Sequence, residues 1–316
     1  MAKRFFFILP AGGGNSRKER KEIMKKIIAL VLALTMALTL AACGSEPAET
    51  NAPAASAISG VEDGVLTVGM ECAYAPYNWT QMDDSNGAVP IANNPGSYAN
   101  GYDVMIAKKI CEKFGWQLEV MALEWGGLSP ALAAGTIDVA IAGQSMTADR
   151  MAEVDMAGPY YYATIVCLTT KDSAYANATS IADLNGGSCT AQIATIWYDQ
   201  CLTQIEGANI QTAAETAPAM LMALETGAVD FICTDMPTAQ GAVAAYPGMK
   251  ILDFSGTDGD FQFSEQVRAE NVNIGVSVMK GNTVLKEAID KVLATMTVED
   301  FNNMMQHAIE IQPLSE

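Results

Sequence analysis

Histidine is almost missing: His307 is the only one in 316 residues. That removes Ser-His-Asp and Cys-His catalysis and histidine-rich metal sites from consideration. No Cys-x-x-Cys pair stands in their place, so neither a metal nor a cofactor is expected. Positive charge is scarce as well. Residues 1–42 hold eight of the 18 Lys/Arg and two of the 36 Asp/Glu, which leaves ten against 34, a net of −24, from Cys43 onward. Such a chain repels nucleic acid and anionic headgroups. Only two arginines, Arg150 and Arg268, follow Cys43, so an anion site has few candidates. The N-terminal apolar run, Ile27–Leu40, is 14 residues, too short for a membrane span. What is plentiful is hydrophobic side chain, at 50%, enough for a two-lobed protein or two domains.

Met24-Lys25-Lys26 before that apolar run has the form of a secretory signal, 24–42. The run ends in Leu40-Ala41-Ala42-Cys43-Gly44, which resembles a bacterial lipobox, with cleavage before Cys43 and lipid on its thiol. A plain signal with an incidental cysteine is the alternative. Residues 1–23 precede a complete signal, and Lys18–Glu22 can be encoded by purines alone, as a ribosome-binding leader would be. Met24 is therefore the expected start. Residues 43–60, rich in Ser, Pro, Ala and Glu, read as a flexible tether.

The centre of the chain is I-D-V-A-I-A-G-Q-S-M-T-A-D-R, residues 137–150. Ile137–Ala142 predicts a buried strand, Gly143 a close backbone approach, and Ser145 or Thr147 a helix cap. Arg150 then falls in the first helical turn, where the helix dipole disfavours a cation. A bound carboxylate between the two would resolve that conflict, and a guanidinium fork matches a carboxylate. A surface pairing with Asp149 or Glu153 explains the same residues equally well.

Along the chain, Val65–Met70 predicts a strand and the polar residues 78–100 a long loop. Asp103 is expected to cap a helix ending at Gly115. Strands and helices alternate to Thr170, and a second unit of similar plan starts at Ile181. It places a strand at Ser188–Gln192, a helix at Ile196–Ile205, and Asp235 just beyond the strand Val229–Cys233. This predicts α/β architecture with mainly parallel sheets. The cysteines other than Cys43 (Cys72, Cys111, Cys167, Cys189, Cys201 and Cys233) sit at apolar positions without regular spacing. Buried free thiols are favoured over disulfides.

Several segments, in this order, resemble the family 3 extracellular solute-binding proteins that feed amino acids to ABC importers. They are L-T-V-G-M-E-C-A-Y-A-P-Y (66–77), G-Y-D-V-M-I-A-K-K-I (101–110), W-G-G-L-S-P-A-L-A-A-G-T-I-D-V-A-I-A-G (125–143), T-A-D-R (147–150), D-M-A-G-P-Y-Y (155–161), I-A-D-L-N-G (181–186) and V-D-F-I-C-T-D (229–235). The resemblance implies a two-lobed type II periplasmic-binding-protein-like fold, with two mainly parallel sheets joined by a two-strand hinge. Lobe 1 would be 61–168 and 273–316, lobe 2 169–272, with crossings near Val166–Thr170 and Val272–Gly275. It implies that Arg150 holds an α-carboxylate, with Gly143 and Ser145 beside it and Thr195 closing from lobe 2. Asp235 would pair with the α-ammonium, Tyr74 and Trp125 would wall the side chain, and Glu71, helped by Gln144 or Glu124, would reach its end. A helix cap, a core aromatic or a rim acid is the plain alternative at each position. Ala194 and Gly126 depart from the family's frequent glycine and aspartate. The expected protein is a monomeric, lipid-anchored binding protein on the outer face of the cytoplasmic membrane, with a polar amino acid (basic or amide) and a permease as partners. It would not be an enzyme. A cyclohexadienyl-type dehydratase on the same fold is the main alternative, and a receptor's sensor domain a third.

Overall fold

The structure, a computed structural model, describes residues 61–313. The expected leader, signal, Cys43 and tether lie outside the described residues. The chain opens with β1 (Val65–Met70), followed by β2 (Ala73–Tyr74), β3 (Asn78–Gln81), β4 (Val89–Pro90) and β5 (Tyr98–Asn100). The last four pair in the order β2-β3-β5-β4, all antiparallel. This corrects the expected loop over 78–100. Its Asn, Gly and Asp residues make the turns, while Trp79, Ile91 and Ala99 are buried and hold the small sheet to the core.

Helix α1 (Tyr102–Phe114) buries Val104, Ile106, Ala107 and Ile110 on one side and ends at Gly115, φ 71°. Its N-cap is Gly101, not the expected Asp103, whose side chain is buried in the first turn. After β6 (Gln117–Ala122), a short turn at Trp125–Gly127 runs into α2 (Leu128–Ala133). Then come β7 (Val139–Ala140), α3 (Ala148–Glu153), β8 (Asp155–Tyr161) and β9 (Ile165–Thr170). The second unit holds β10 (Ser188–Thr190), β11 (Asn209–Ile210), α4 (Ala217–Glu225), β12 (Phe231–Asp235), α5 (Met236–Ala245), β13 (Met249–Leu252) and α6 (Glu265–Asn271). The helix expected over Ile196–Ile205 is a π-turn at Trp197–Cys201 followed by a 3-10 turn. The chain closes with β14 (Ile274–Val278), α7 (Thr283–Leu293) and α8 (Val298–Ile311).

Two five-stranded sheets result, β6-β1-β7-β14-β8 and β11-β10-β12-β9-β13. Each is mainly parallel, with one strand, β14 or β9, antiparallel to its neighbours. Those two strands follow the chain's passages between the sheets. The first passage is at residues 162–164, between β8 and β9, and the second at residues 272–273, before β14. β9, where a crossing was expected, pairs within the second sheet along its whole length. Because parallel strands put their carboxyl ends on one edge, each lobe presents its βα turns at the crevice between them.

All six cysteines of the described residues are buried and free. Among the described residues no helix is long and apolar enough to cross a membrane, and no cluster of His, Cys, Asp or Glu could hold a metal ion.

Candidate ligand-binding site

The turn after β7 forms the lobe 1 side of the crevice. Gly143 has φ 61°, and a Cβ there would lie 2.7 Å from Cε1 of Tyr74. Glycine is needed because the stacked Tyr74–Tyr77 pair, with ring centroids 5.0 Å apart, packs directly on this backbone. Ser145 caps no helix. It forms an isolated antiparallel bridge with Ile274, and Gly275 N–H donates to the Gln144 carbonyl at 3.0 Å. Thr147 is the cap: its hydroxyl accepts from Arg150 N–H at 3.2 Å.

The Arg150 side chain folds back over this turn. Its Nη1 donates to the Ser145 carbonyl and its Nη2 to the Ala194 carbonyl on lobe 2, the latter at 3.2 Å. Its Cζ lies 5.3 Å from the centre of the Trp125 ring. Burial lowers the guanidinium's pKa to about 10, and Glu153 opposes the shift. Arg150 therefore stays charged at neutral pH, half-buried and without an ion-paired carboxylate among the described residues. Ala194, the departure from glycine, holds φ 54°, a left-handed backbone that carries a steric cost of about 1–2 kcal/mol in an alanine. That conformation aims its carbonyl at Arg150.

On lobe 2, Thr195 donates its hydroxyl to the Gln192 carbonyl at 2.7 Å. Trp125 Nε1 donates across the crevice to the Ile193 carbonyl at 3.0 Å. Tyr74, Trp125, Gly143, Ser145, Arg150, Gln192, Thr195 and Trp197 together enclose a void of only about 10 Å³. That holds at most about one water. The lobes meet around this void, and Trp125, Arg150 and Thr195 also line an open hollow of about 470 Å³ together with Gln144, Thr147 and Ala194.

Six of the expected residues meet here: Tyr74, Trp125, Gly143, Ser145, Arg150 and Thr195. Glu71 stands one residue away, with both carboxylate oxygens 3.4 Å from Nε2 of Gln192. It opens onto a hollow of about 430 Å³ that it shares with Glu124. Burial raises Glu71 to about 7, the Gln192 hydrogen bond opposes that shift, and Glu124 adds to it.

Asp235 does not line the void. It is the last residue of β12 and the N-cap of α5, where one oxygen accepts from Thr238 N–H at 2.9 Å. The other accepts from the Tyr77 hydroxyl at 2.9 Å, and Thr238 donates its hydroxyl to that of Tyr74 at 3.1 Å. Asp235 thus sits behind the tyrosine pair, fully buried, with its pKa raised by burial and held back by these hydrogen bonds. Gln192 and Trp197 were not expected. Both follow the carboxyl end of β10, the place where such sheets receive ligands, and that position was the one available signal.

The profile of the bacterial extracellular solute-binding proteins, family 3, matches residues 66–307, and the chain belongs to that family. It is 28% identical over 243 residues to a probable histidine-binding protein of Campylobacter jejuni, covering 76% of this chain and 85% of that one. It is 25% identical over 235 residues to the L-cystine-binding protein TcyJ of Escherichia coli, covering 74% and 78%. An ancestral arginine-binding protein bound to arginine superposes with a TM-score of 0.60 at 27% identity, covering 77% of this chain and 97% of that one.

Proposed function

We propose that this protein captures a basic L-amino acid between its lobes and delivers it to an ABC importer, without catalysing a reaction. Relatives that bind histidine, cystine and arginine support an amino-acid ligand but leave its side chain open. The observation that carries the side-chain class is a charge imbalance. Arg150 is the one cation of the crevice wall, yet Glu71, Glu124 and Asp235 have no lysine or arginine ion-paired with them among the described residues. A basic amino acid brings one carboxylate and two cations. The carboxylate would sit on Arg150, with Gly143, Ser145 and Thr195 around it. The ammonium would be drawn to Asp235 as the tyrosines shift, and the side-chain cation would pass Trp125 and Tyr74 toward Glu71. Closure then follows because only the closed form satisfies groups from both lobes. The hinge would be the two passages at 162–164 and 272–273.

Thermal-shift titration of the mature protein with L-arginine, L-lysine, L-histidine, L-glutamine and L-cystine tests this. A basic amino acid is expected to raise the unfolding midpoint at the lowest concentration. Preference for glutamine or cystine would overturn the basic assignment. Glu71 gives the pH signature. Its pKa is higher in the folded protein than in the unfolded chain, so its contribution to stability is present below about 4.5 and lost as pH rises through about 7. The ligand-free midpoint should therefore fall between pH 5 and 8, and a basic amino acid should stabilise more at pH 8. Both differences should shrink in Glu71→Gln.

The dehydratase alternative would use Glu71 as its general acid. Product from a cyclohexadienyl acid incubated with the protein would favour it.

We further propose that Cys43 carries lipid and that residues 43–60 tether a monomeric binding domain to the outer face of the cytoplasmic membrane. Fatty-acid label should enter the native protein in growing cells and be lost in Cys43→Ala. Equal labelling of both would contradict the anchor.

A further inference from the structure

Asp103 has no side-chain contact with the void, yet both of its oxygens are committed toward it. It is fully buried in the first turn of α1 and has no ion-pair partner among the described residues. One oxygen accepts from the Tyr160 hydroxyl at 2.7 Å, and that hydroxyl oxygen accepts from Gly143 N–H at 3.0 Å. The other accepts from Asn78 Nδ2 at 2.8 Å, and Asn78 Oδ1 accepts from Cys72 N–H at 2.7 Å. Gly143 and Cys72 have φ 61° and 55°, so both amides belong to left-handed turns. One turn follows β7 and leads to Arg150. The other follows β1, directly after Glu71. Tyr160 and Asn78 are themselves fully buried, so water does not offer these amides a substitute.

We infer that Asp103 is a positioning residue that sets both halves of the cleft, fixing the Arg150 turn through Tyr160 and the Glu71 turn through Asn78. The inference deepens the proposed function, because those turns carry the groups assigned to the ligand's carboxylate and side chain. A carboxylate suits the task because it only accepts. It draws the single Tyr160 proton toward itself and leaves the phenol's lone pairs for Gly143 N–H. An amide at 103 keeps the shape but must point a donor at one of two donors. Burial raises the Asp103 pKa to about 7, the hydrogen bonds of Tyr160, Asn78 and the Gly143 amide oppose that shift, and Asp235 adds to it, so the carboxylate form predominates at pH 8.

The test is backbone amide exchange on the ligand-free protein at pH 8, followed residue by residue in native protein, Asp103→Asn and Tyr160→Phe. In Asp103→Asn, exchange at Gly143 and Cys72 should speed up at least tenfold more than at Val68 and Ile232. In Tyr160→Phe, which keeps the carboxylate, only Gly143 should respond. A uniform change across the protein, or a Gly143 amide indifferent to Tyr160→Phe, would overturn the inference. If Asp103→Asn does not fold, an unmoved Gly143 amide in Tyr160→Phe still overturns the inference. No ligand enters this measurement, so it fails or succeeds apart from the assignment of a basic amino acid. If that assignment also holds, Asp103→Asn should weaken L-arginine binding at least tenfold.

Discussion

Arg150→Ala is expected to lose about 30- to 4,000-fold in amino-acid affinity while keeping its fold. Truncating one partner of a buried, hydrogen-bonded charge pair costs about 2–5 kcal/mol, because the other charge is left desolvated and alone, and each 1.4 kcal/mol is about tenfold. On the proposed binding mode the stranded partner would be the ligand carboxylate, and the void offers it no second cation. Arg150 also donates to Ala194 across the crevice, so alanine removes a closing contact as well. The fold does not depend on this side chain. α3 is capped by Thr147 through the backbone of residue 150, which alanine retains. Calorimetric titration beside far-ultraviolet circular dichroism reads both quantities. Undiminished binding by the folded variant would remove Arg150 from the site.

Gly101→Ala should produce the largest loss of stability, about 3 kcal/mol or more. Gly101 has φ 124° and ψ −177°, a region open essentially to glycine alone and costing about 1–3 kcal/mol otherwise. A Cβ there would stand 2.4 Å from the Tyr77 carbonyl oxygen and 2.9 Å from the Asn78 Cα. These are backbone atoms, so no rotamer change relieves the contact, and overpacking adds about 1–3 kcal/mol. The next two amides, of Tyr102 and Asp103, donate to the carbonyls of Pro76 and Tyr77. A shift at 101 would therefore pull α1 away from the turn that carries Tyr74 and Tyr77. Chemical denaturation measures the difference, and a midpoint within 0.5 kcal/mol of native stability, the usual range for innocuous surface changes, would contradict the packing.

Long apolar patterns were the legible part of the fold. Val65–Met70 is a strand over the expected residues, and α1 buries the residues whose spacing pointed to it. The small sheet over 73–100 was not legible. Its strands are two to four residues long, too short for alternation to emerge from a polar background. Likewise, of Ile137–Ala142 only Val139–Ala140 is strand, flanked by the Asp138 and Ile141 amides on the Thr67 and Gly69 carbonyls of β1. In the site, residues that act through local backbone geometry could be anticipated from the chain, Gly143 and the Thr147–Arg150 turn above all. Contacts between distant segments could not. Gln192 meeting Glu71 spans 121 residues, and Asp103 reaching Tyr160 spans 57. Asp103 resembled a helix cap because acids favour first turns; its burial depends on Asn78 and Tyr160, which no local pattern connects to it. Asp235 fell at the expected strand end and its bond to Thr238 is a local cap, but its enclosure by Tyr77 depends on the two lobes meeting.

A crystal structure of the mature protein grown with the amino acid that binds most tightly tests the account most directly. It should place the ligand carboxylate on the Arg150 guanidinium, between Gly143, Ser145 and Thr195, with the side chain running toward Glu71. A ligand held elsewhere on the protein, or one in this crevice with Arg150 turned out to solvent, would contradict it.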